Sequence, residues 1–224
     1  MLISTSVLSA PPEVVILGTQ HWPPYQVEQN NQLSGIAIES VVCVLKRMQQ
    51  RYRFVVKPWQ RIQNEVANGQ LDGFFSASQS HDRDLFAVQS APFIRQRWVF
   101  YLLKDSLIAP DISAIKAQAK LAARQNSNVY RWLANNGYRI EAAPNDAEAL
   151  IGVLHRKRVD AVMENSTVFE YHLNRLGVGL NGFHQVINLE HNLGVYFGKP
   201  FVKKHPEFLE RFNRESDYCS NILG

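Results

Sequence analysis

Cysteine is scarce in this chain. Only Cys43 and Cys219 occur in 224 residues, and no C-x-x-C pair exists, which removes zinc ribbons and thioredoxin-type chemistry. Cys43 lies in the apolar run 41–45. A buried free thiol is one reading of it; a long-range disulfide to Cys219, which needs an oxidising compartment, is the other. Long apolar runs are also missing. None approaches the roughly 18 consecutive residues of a transmembrane helix, so the chain is expected not to span a membrane. Neither sign of charge dominates: 24 Lys plus Arg face 20 Asp plus Glu, a net +4. The densest basic cluster, His155 to Arg158, is short and reads as a solvated helix end, so no nucleic-acid partner is expected. No G-x-S-x-G or H-E-x-x-H pattern occurs. His184 and His191 have no third ligand spaced with them, so neither a metal nor another cofactor is expected.

What remains is the balance of an ordinary globular protein, 46% apolar and 20% charged, on a length that allows one domain or two small ones. The first twelve residues carry no charged side chain and reach Leu8-Ser9-Ala10-Pro11. That pattern suggests the tail of a secretory signal, cleaved after Ala10, although its basic start is missing.

The order of elements is α/β. Val14-Val15-Ile16-Leu17-Gly18 reads as a buried strand. Gln20-His21-Trp22-Pro23-Pro24-Tyr25 follows, and its two prolines demand a rigid extended loop. Asn30-Asn31 reads as a turn. The spacing of Ile38, Val41, Val42, Leu45 and Met48 predicts a helix over 35–48. Residues 52–56 read as a strand, 59–68 as a helix and 71–75 as a third strand, the sequence of a parallel sheet. A polar loop from Ser76 to Arg83 comes next. A second series then reads as strands at 99–103, 121–124, 159–163 and 192–197, with helices at 130–133 and 147–155. A last helix starts over 207–212. Asn165-Ser166 can cap the helix that follows them.

These features, in this order, resemble the bacterial periplasmic solute-binding proteins of the polar amino acid family, which serve ABC importers. The resemblance spans residues 14–212. It is carried by Trp22-Pro23-Pro24-Tyr25, Gly35-Ile36-Ala37-Ile38-Glu39, Gly69-Gln70-Leu71-Asp72-Gly73, the hydroxyl-rich loop from Ser76 to Arg83, the segment from Phe86 to Phe93, and Val159-Asp160-Ala161-Val162. It implies a two-lobed α/β fold of the periplasmic-binding-protein type II class, with a hinge and a ligand cleft between lobes. One lobe is expected over 11–95 plus 194–224, the other over 96–193, with Cys43 and Cys219 in the first. It also implies a periplasmic, non-enzymatic monomer with a small-molecule ligand and ABC-transporter membrane subunits as partners. The family's last helix runs further past Phe212-Asn213, so this chain's is expected to be shortened.

The chemistry of the residues points the same way. Arg83 can grip a carboxylate with two parallel N–H···O bonds. Ser76 and Ser78, two apart at a strand end, can present hydroxyls on one side. In the family, the matching positions bind the ligand's carboxylate. Trp22 and Trp59 fall where relatives place side chains against the ligand's side chain. In the second half, Gln125-Asn126-Ser127-Asn128 matches the family's turn at a helix N-terminus, so Ser127 and Asn128 are candidates for an anion contact. Asn126 there tolerates a left-handed backbone. Asn165 stands where relatives carry an Asp for the ligand's ammonium group. Asn offers no charge, so either Glu164 replaces it through a local shift, or the ligand has no α-ammonium group. Two further readings use the same scaffold. One is a cyclohexadienyl-dehydratase-like enzyme with Glu164 as the acid; the other is a sensor domain acting with a membrane signalling partner.

Overall fold

The computed structural model describes residues 12–30, 32–125 and 127–223, the last three of these without their side chains. The leader-like segment with Ala10, the second residue of the Asn30-Asn31 turn and the backbone of Asn126 lie outside the described residues. The chain forms two compact units, one running to Arg95 and resuming at Asn192, the other from Gln96 to His191.

The first unit opens with β1 (Val15–Thr19), the hairpin β2 (Val27–Gln29) and β3 (Gln32–Ser34), and α1 (Ile36–Arg47). Then come β4 (Tyr52–Val56), α2 (Trp59–Ala67), β5 (Gly73–Ala77), the single turn α3 (His81–Asp84) and β6 (Ala87–Gln89). The second unit holds β7 (Arg97–Leu103), α4 (Ile112–Gln118), β8 (Leu121–Ala122), α5 (Asn128–Asn135), β9 (Ile140–Ala142), α6 (Ala147–His155), β10 (Ala161–Asn165), α7 (Ser166–Arg175) and β11 (Phe183–Glu190). The chain returns to the first unit with β12 (Gly194–Gly198), α8 (Lys199–Lys204) and α9 (Phe208–Leu223).

Each unit has its own five-stranded sheet, ordered β4-β1-β5-β12-β6 in the first and β11-β7-β10-β8-β9 in the second. β4, β1 and β5 are parallel, as are β10, β8 and β9, while β12, β7 and β11 enter antiparallel. The period-two rule is visible in β7. Trp98, Phe100 and Leu102 enter one core cluster, with residues of α4 and α5; Val99 and Tyr101 enter another, with residues of α6 and α7. A strand buried on both faces must be apolar throughout.

Some expected boundaries move. β5 begins at Gly73, not 71, because Asp72 is used outside the sheet: its Oδ2 accepts from Ile16 N at 2.7 Å. At Gly73 a Cβ would meet the Tyr196 carbonyl at 2.4 Å, so β5 and β12 approach there only through glycine. β10 likewise starts two residues late. The hairpin β2–β3, α4, β9, β11 and α8 were not legible. β11 mixes four apolar and four polar residues without strict alternation, and α4 and α8 are short.

The two cysteines form a disulfide with Cα atoms 6.0 Å apart, so the free-thiol reading of Cys43 does not hold. It ties α1 to α9, beside an Arg47–Glu215 ion pair at 2.6 Å and the Arg47 guanidinium 3.6 Å from the centre of the Tyr218 ring. The last helix, α9, runs sixteen residues. Among the described residues, no helix is long and apolar enough to cross a membrane.

Candidate functional site

In the first unit the parallel strands end together, and the candidate residues gather on the segments leaving those ends. Ligands bind at this edge in open α/β sheets. The loop after β1 is pinned twice. Trp22 and Gln26 exchange backbone hydrogen bonds of 2.9 and 3.0 Å, with the Pro23–Pro24 peptide cis between them. Ile36 N and Ala37 N then donate to the carbonyls of Pro24 and Tyr25. That docking is close because residue 35 is glycine: its φ is +113°, and a Cβ would meet the Pro24 carbonyl at 2.5 Å. Tyr25 is buried, stacks on Trp22 at 4.7 Å and donates its hydroxyl to the Arg95 carbonyl. The Gln26 amide donates to Ser76 Oγ, which joins this loop to the end of β5.

Ser76 has φ +61°, a left-handed conformation unusual for a residue with a side chain. The backbone leaves the pleat there. Strand alternation therefore does not place Ser76 and Ser78 on one side, and Ser78 lies past the strand's end. Strain of this sort costs of order 1–3 kcal/mol and concentrates at functional sites.

Arg83 sits in α3 rather than a loop and is only 5% exposed. Its Nη1 donates to the Ser78 carbonyl at 2.7 Å and its Nε to Gln63 Oε1 at 3.1 Å. Its guanidinium carbon lies 5.5 Å from the Trp59 ring centre. Trp59 opens α2 after Pro58 and meets Phe74 edge-on at 5.3 Å. These internal bonds fix the plane of the guanidinium. Around the same edge three buried polar atoms lack a partner among the described residues: Thr19 Oγ1, Trp22 Nε1 and Gln26 Oε1. Buried polar groups are nearly always satisfied, so three orphans on neighbouring segments call for an explanation.

The second unit has a comparable edge, where β8 and β10 end beside the starts of α5 and α7. Ser127 caps α5, its Oγ accepting from Tyr130 N at 3.0 Å, and the Asn128 side-chain oxygen accepts from Arg131. Asn165 caps α7, its Oδ1 accepting from Val168 N at 3.1 Å. All three thus serve local helix starts. Glu164 is 1% exposed and fully engaged. Both its oxygens take bonds from Arg124, through Nε and, at 3.1 Å, Nη2; Oε1 also accepts from Asn165 N at 2.8 Å. Arg124 is 20% exposed, and the Glu164 charge beside it raises its pKa further. The local shift that would turn Glu164 into an ammonium acceptor is therefore not seen. Elsewhere on β7, Trp98 Nε1 and the Tyr101 hydroxyl are buried without partners among the described residues, and burial pushes the Tyr101 pKa far up, keeping it a donor.

The structure brings Trp22 and Ser76 together through Gln26, and Trp59, Ser78 and Arg83 through direct contacts, within the first unit. Ser127, Asn128 and Asn165 lie in the second. Sequence reasoning passed over Thr19, Gln26, Gln63 and Arg124. Two signals could have found two of them. Gln63 is one helical turn beyond Trp59, and Arg124 is a charge that closes the apolar run 121–123, as Glu164 interrupts another. Among the described residues, no three His, Cys, Asp or Glu side chains gather as metal ligands.

The family described as bacterial extracellular solute-binding proteins, family 3, matches residues 14–216. No curated protein matches the chain in sequence. Solved structures do match in fold. A histidine kinase sensor domain with similarity to periplasmic binding proteins has TM-score 0.73 and 17% identity, over 93% of this chain and 90% of that one. An ABC uptake transporter substrate binding protein from Streptococcus pneumoniae with bound histidine has TM-score 0.70 and 16% identity, over 92% and 86%. An ancestral amino acid-binding protein, a precursor of cyclohexadienyl dehydratase, has TM-score 0.70 and 18% identity, over 94% and 93%.

Proposed function

This chain belongs to the bacterial extracellular solute-binding proteins, family 3, and from that premise we propose that it captures a small carboxylate-bearing solute, outside the cytoplasm, for an ABC importer. The observation that carries the reading is the first unit's strand edge. There a nearly buried Arg83, fixed against Trp59, shares an edge with three orphaned polar atoms, Thr19 Oγ1, Trp22 Nε1 and Gln26 Oε1. A polar solute would satisfy the orphans, and a desolvated carboxylate requires a charged, well-oriented donor. Trp22 and Trp59 would form its walls, and Ser76 and Ser78 would add polar contacts. In the second unit, Ser127, Asn128 and Asn165 are proposed as further ligand contacts.

A thermal-shift screen over amino acids and organic acids tests this. A solute at 100 times its Kd adds about 2.7 kcal/mol of stability, so a binder stands out. Shifts from carboxylates alone support the reading; a shift from a cation or a neutral sugar, with none from any carboxylate, overturns it. Binding rather than catalysis is favoured by Glu164, the one acid considered for an enzyme. An acid held on both oxygens by Arg124 is poorly placed to deliver a proton. The sensor reading is favoured by the sensor-domain neighbour; it would change the partner but not the solute.

A further inference from the structure

We infer that Arg124 is a specificity-determining residue that supplies, from within the protein, the cation an amino-acid ligand would bring, so that the solute is a carboxylate without an α-ammonium group. The inference rests on the carboxylate reading above and narrows it.

The argument is one of charge at a single strand edge. A ligand ammonium stripped of water needs a carboxylate facing it, since an unpaired buried charge is very costly. In the second unit, the acids acting on Arg124 are Glu164 and Asp146; Asp146 Oδ1 accepts from Ala149 N at the start of α6, and Glu164 is buried with both oxygens bound. Arg124 holds both oxygens in the paired geometry that suits a guanidinium and a carboxylate. The backbone N–H of Asn165 takes a further place on Oε1. With the side chain 1% exposed, an incoming ammonium would have to displace the guanidinium to reach it. Asn165, next along β10, presents a neutral amide whose oxygen already caps α7. The pair is thus electrically closed on its acidic side. Its open side is Arg124, 20% exposed, with Nη1 making no hydrogen bond among the described residues. What that edge shows to a solute is a donor, and a donor suits an acid or a neutral oxygen.

The test uses matched probes that differ only in the ammonium group: glutarate against L-glutamate, and succinate against L-aspartate, measured by calorimetry on the full chain. The unsubstituted acid of at least one pair is expected to bind at least tenfold more tightly than its amino acid. In Arg124→Gln the order should narrow or reverse, because Glu164 is released to accept an ammonium. Should that variant fold poorly, Arg124→Gln combined with Glu164→Gln removes both charges together and should bind the two members of each pair within threefold. Amino acids preferred by the wild-type protein would overturn the inference while leaving the carboxylate reading intact. An unchanged preference in the double variant would overturn it as well. No binding of any of the four at millimolar concentration, with a cationic or neutral solute binding instead, would overturn the carboxylate reading and the inference with it.

Discussion

The two units each place an arginine near the ends of parallel strands, Arg83 buried and Arg124 partly so, and they hold it differently. The partners of Arg83 include two neutral acceptors, the Gln63 amide oxygen and the Ser78 carbonyl. Arg124 is bound by a carboxylate on two of its nitrogens. Neutral acceptors orient a guanidinium without cancelling its charge, whereas a carboxylate does both. The same residue type is thus the proposed ligand contact in one unit and half of an internal ion pair in the other. Residue identity at a strand end is not enough to tell them apart; the partner decides.

That contrast can be broken in order of size. Removing Arg124 should cost most. Arg124→Gln leaves Glu164 buried and unpaired, and breaking a buried ion pair from one side costs about 3–5 kcal/mol. Urea unfolding followed by circular dichroism reads this directly, and a loss under about 1 kcal/mol would show that the pair is held elsewhere. Arg83→Ala should act mainly on affinity. Leaving a desolvated carboxylate without its cation costs roughly 2–5 kcal/mol, so binding should weaken at least about 30-fold. Calorimetry with the tightest acid from the screen decides, and a change within threefold rules out Arg83 as the carboxylate's partner.

Asn165→Ala should be milder. It removes the α7 cap, worth about 0.5–2 kcal/mol of stability, and should lower affinity by no more than one neutral hydrogen bond, about 0.5–1.5 kcal/mol. A tenfold or greater loss of affinity with stability unchanged would make Asn165 a principal ligand contact instead. The smallest effect is a slope. Asp72, in the first unit, is raised above the ordinary carboxylate pKa by burial, and the Ile16 N–H bond and the charges of His205 and Lys204 only partly offset this. A carboxyl with a raised folded pKa holds its proton more tightly when folded, so its penalty is present above that pKa and disappears as pH falls to the ordinary value of 3.8. Relative to Asp72→Asn, the wild type should gain stability as pH falls from neutrality towards 4. Parallel stability–pH curves for the two would refute it.

How much of this was written in the sequence depends on distance along the chain. The strand at 52–56, the helix at 147–155 and the cap at Asn165 follow from periodicity and local side-chain chemistry, and each lies where expected. Arg83 and Trp59 could be singled out because the chemistry needs them. Their arrangement could not, because Gln63 is twenty residues from Arg83 and nothing local couples them. The Arg124–Glu164 pair spans forty residues and was invisible for the same reason. Ser76 was misjudged because a strand's alternation presumes extended backbone, and a left-handed residue ends it. The disulfide was open between two readings until α1 and α9 were seen side by side.

The path of the chain through the first sheet has a consequence for how the molecule assembles. β12 lies between β5 and β6 and pairs with both, but it is made only after the whole segment 96–191. Every strand of the second sheet, by contrast, comes from one uninterrupted stretch. During synthesis the second sheet can therefore close on its own. Until Gly194 to Gly198 arrives, β5 and β6 each have an open backbone edge, and the apolar Phe74 and Phe75 are only partly covered. Long-range pairing of this kind is slow to form, and unpaired edges are where partly folded chains aggregate. Substitutions in β12 should thus reduce the yield of native protein more than equally buried ones in β10, even where the finished folds are equally stable.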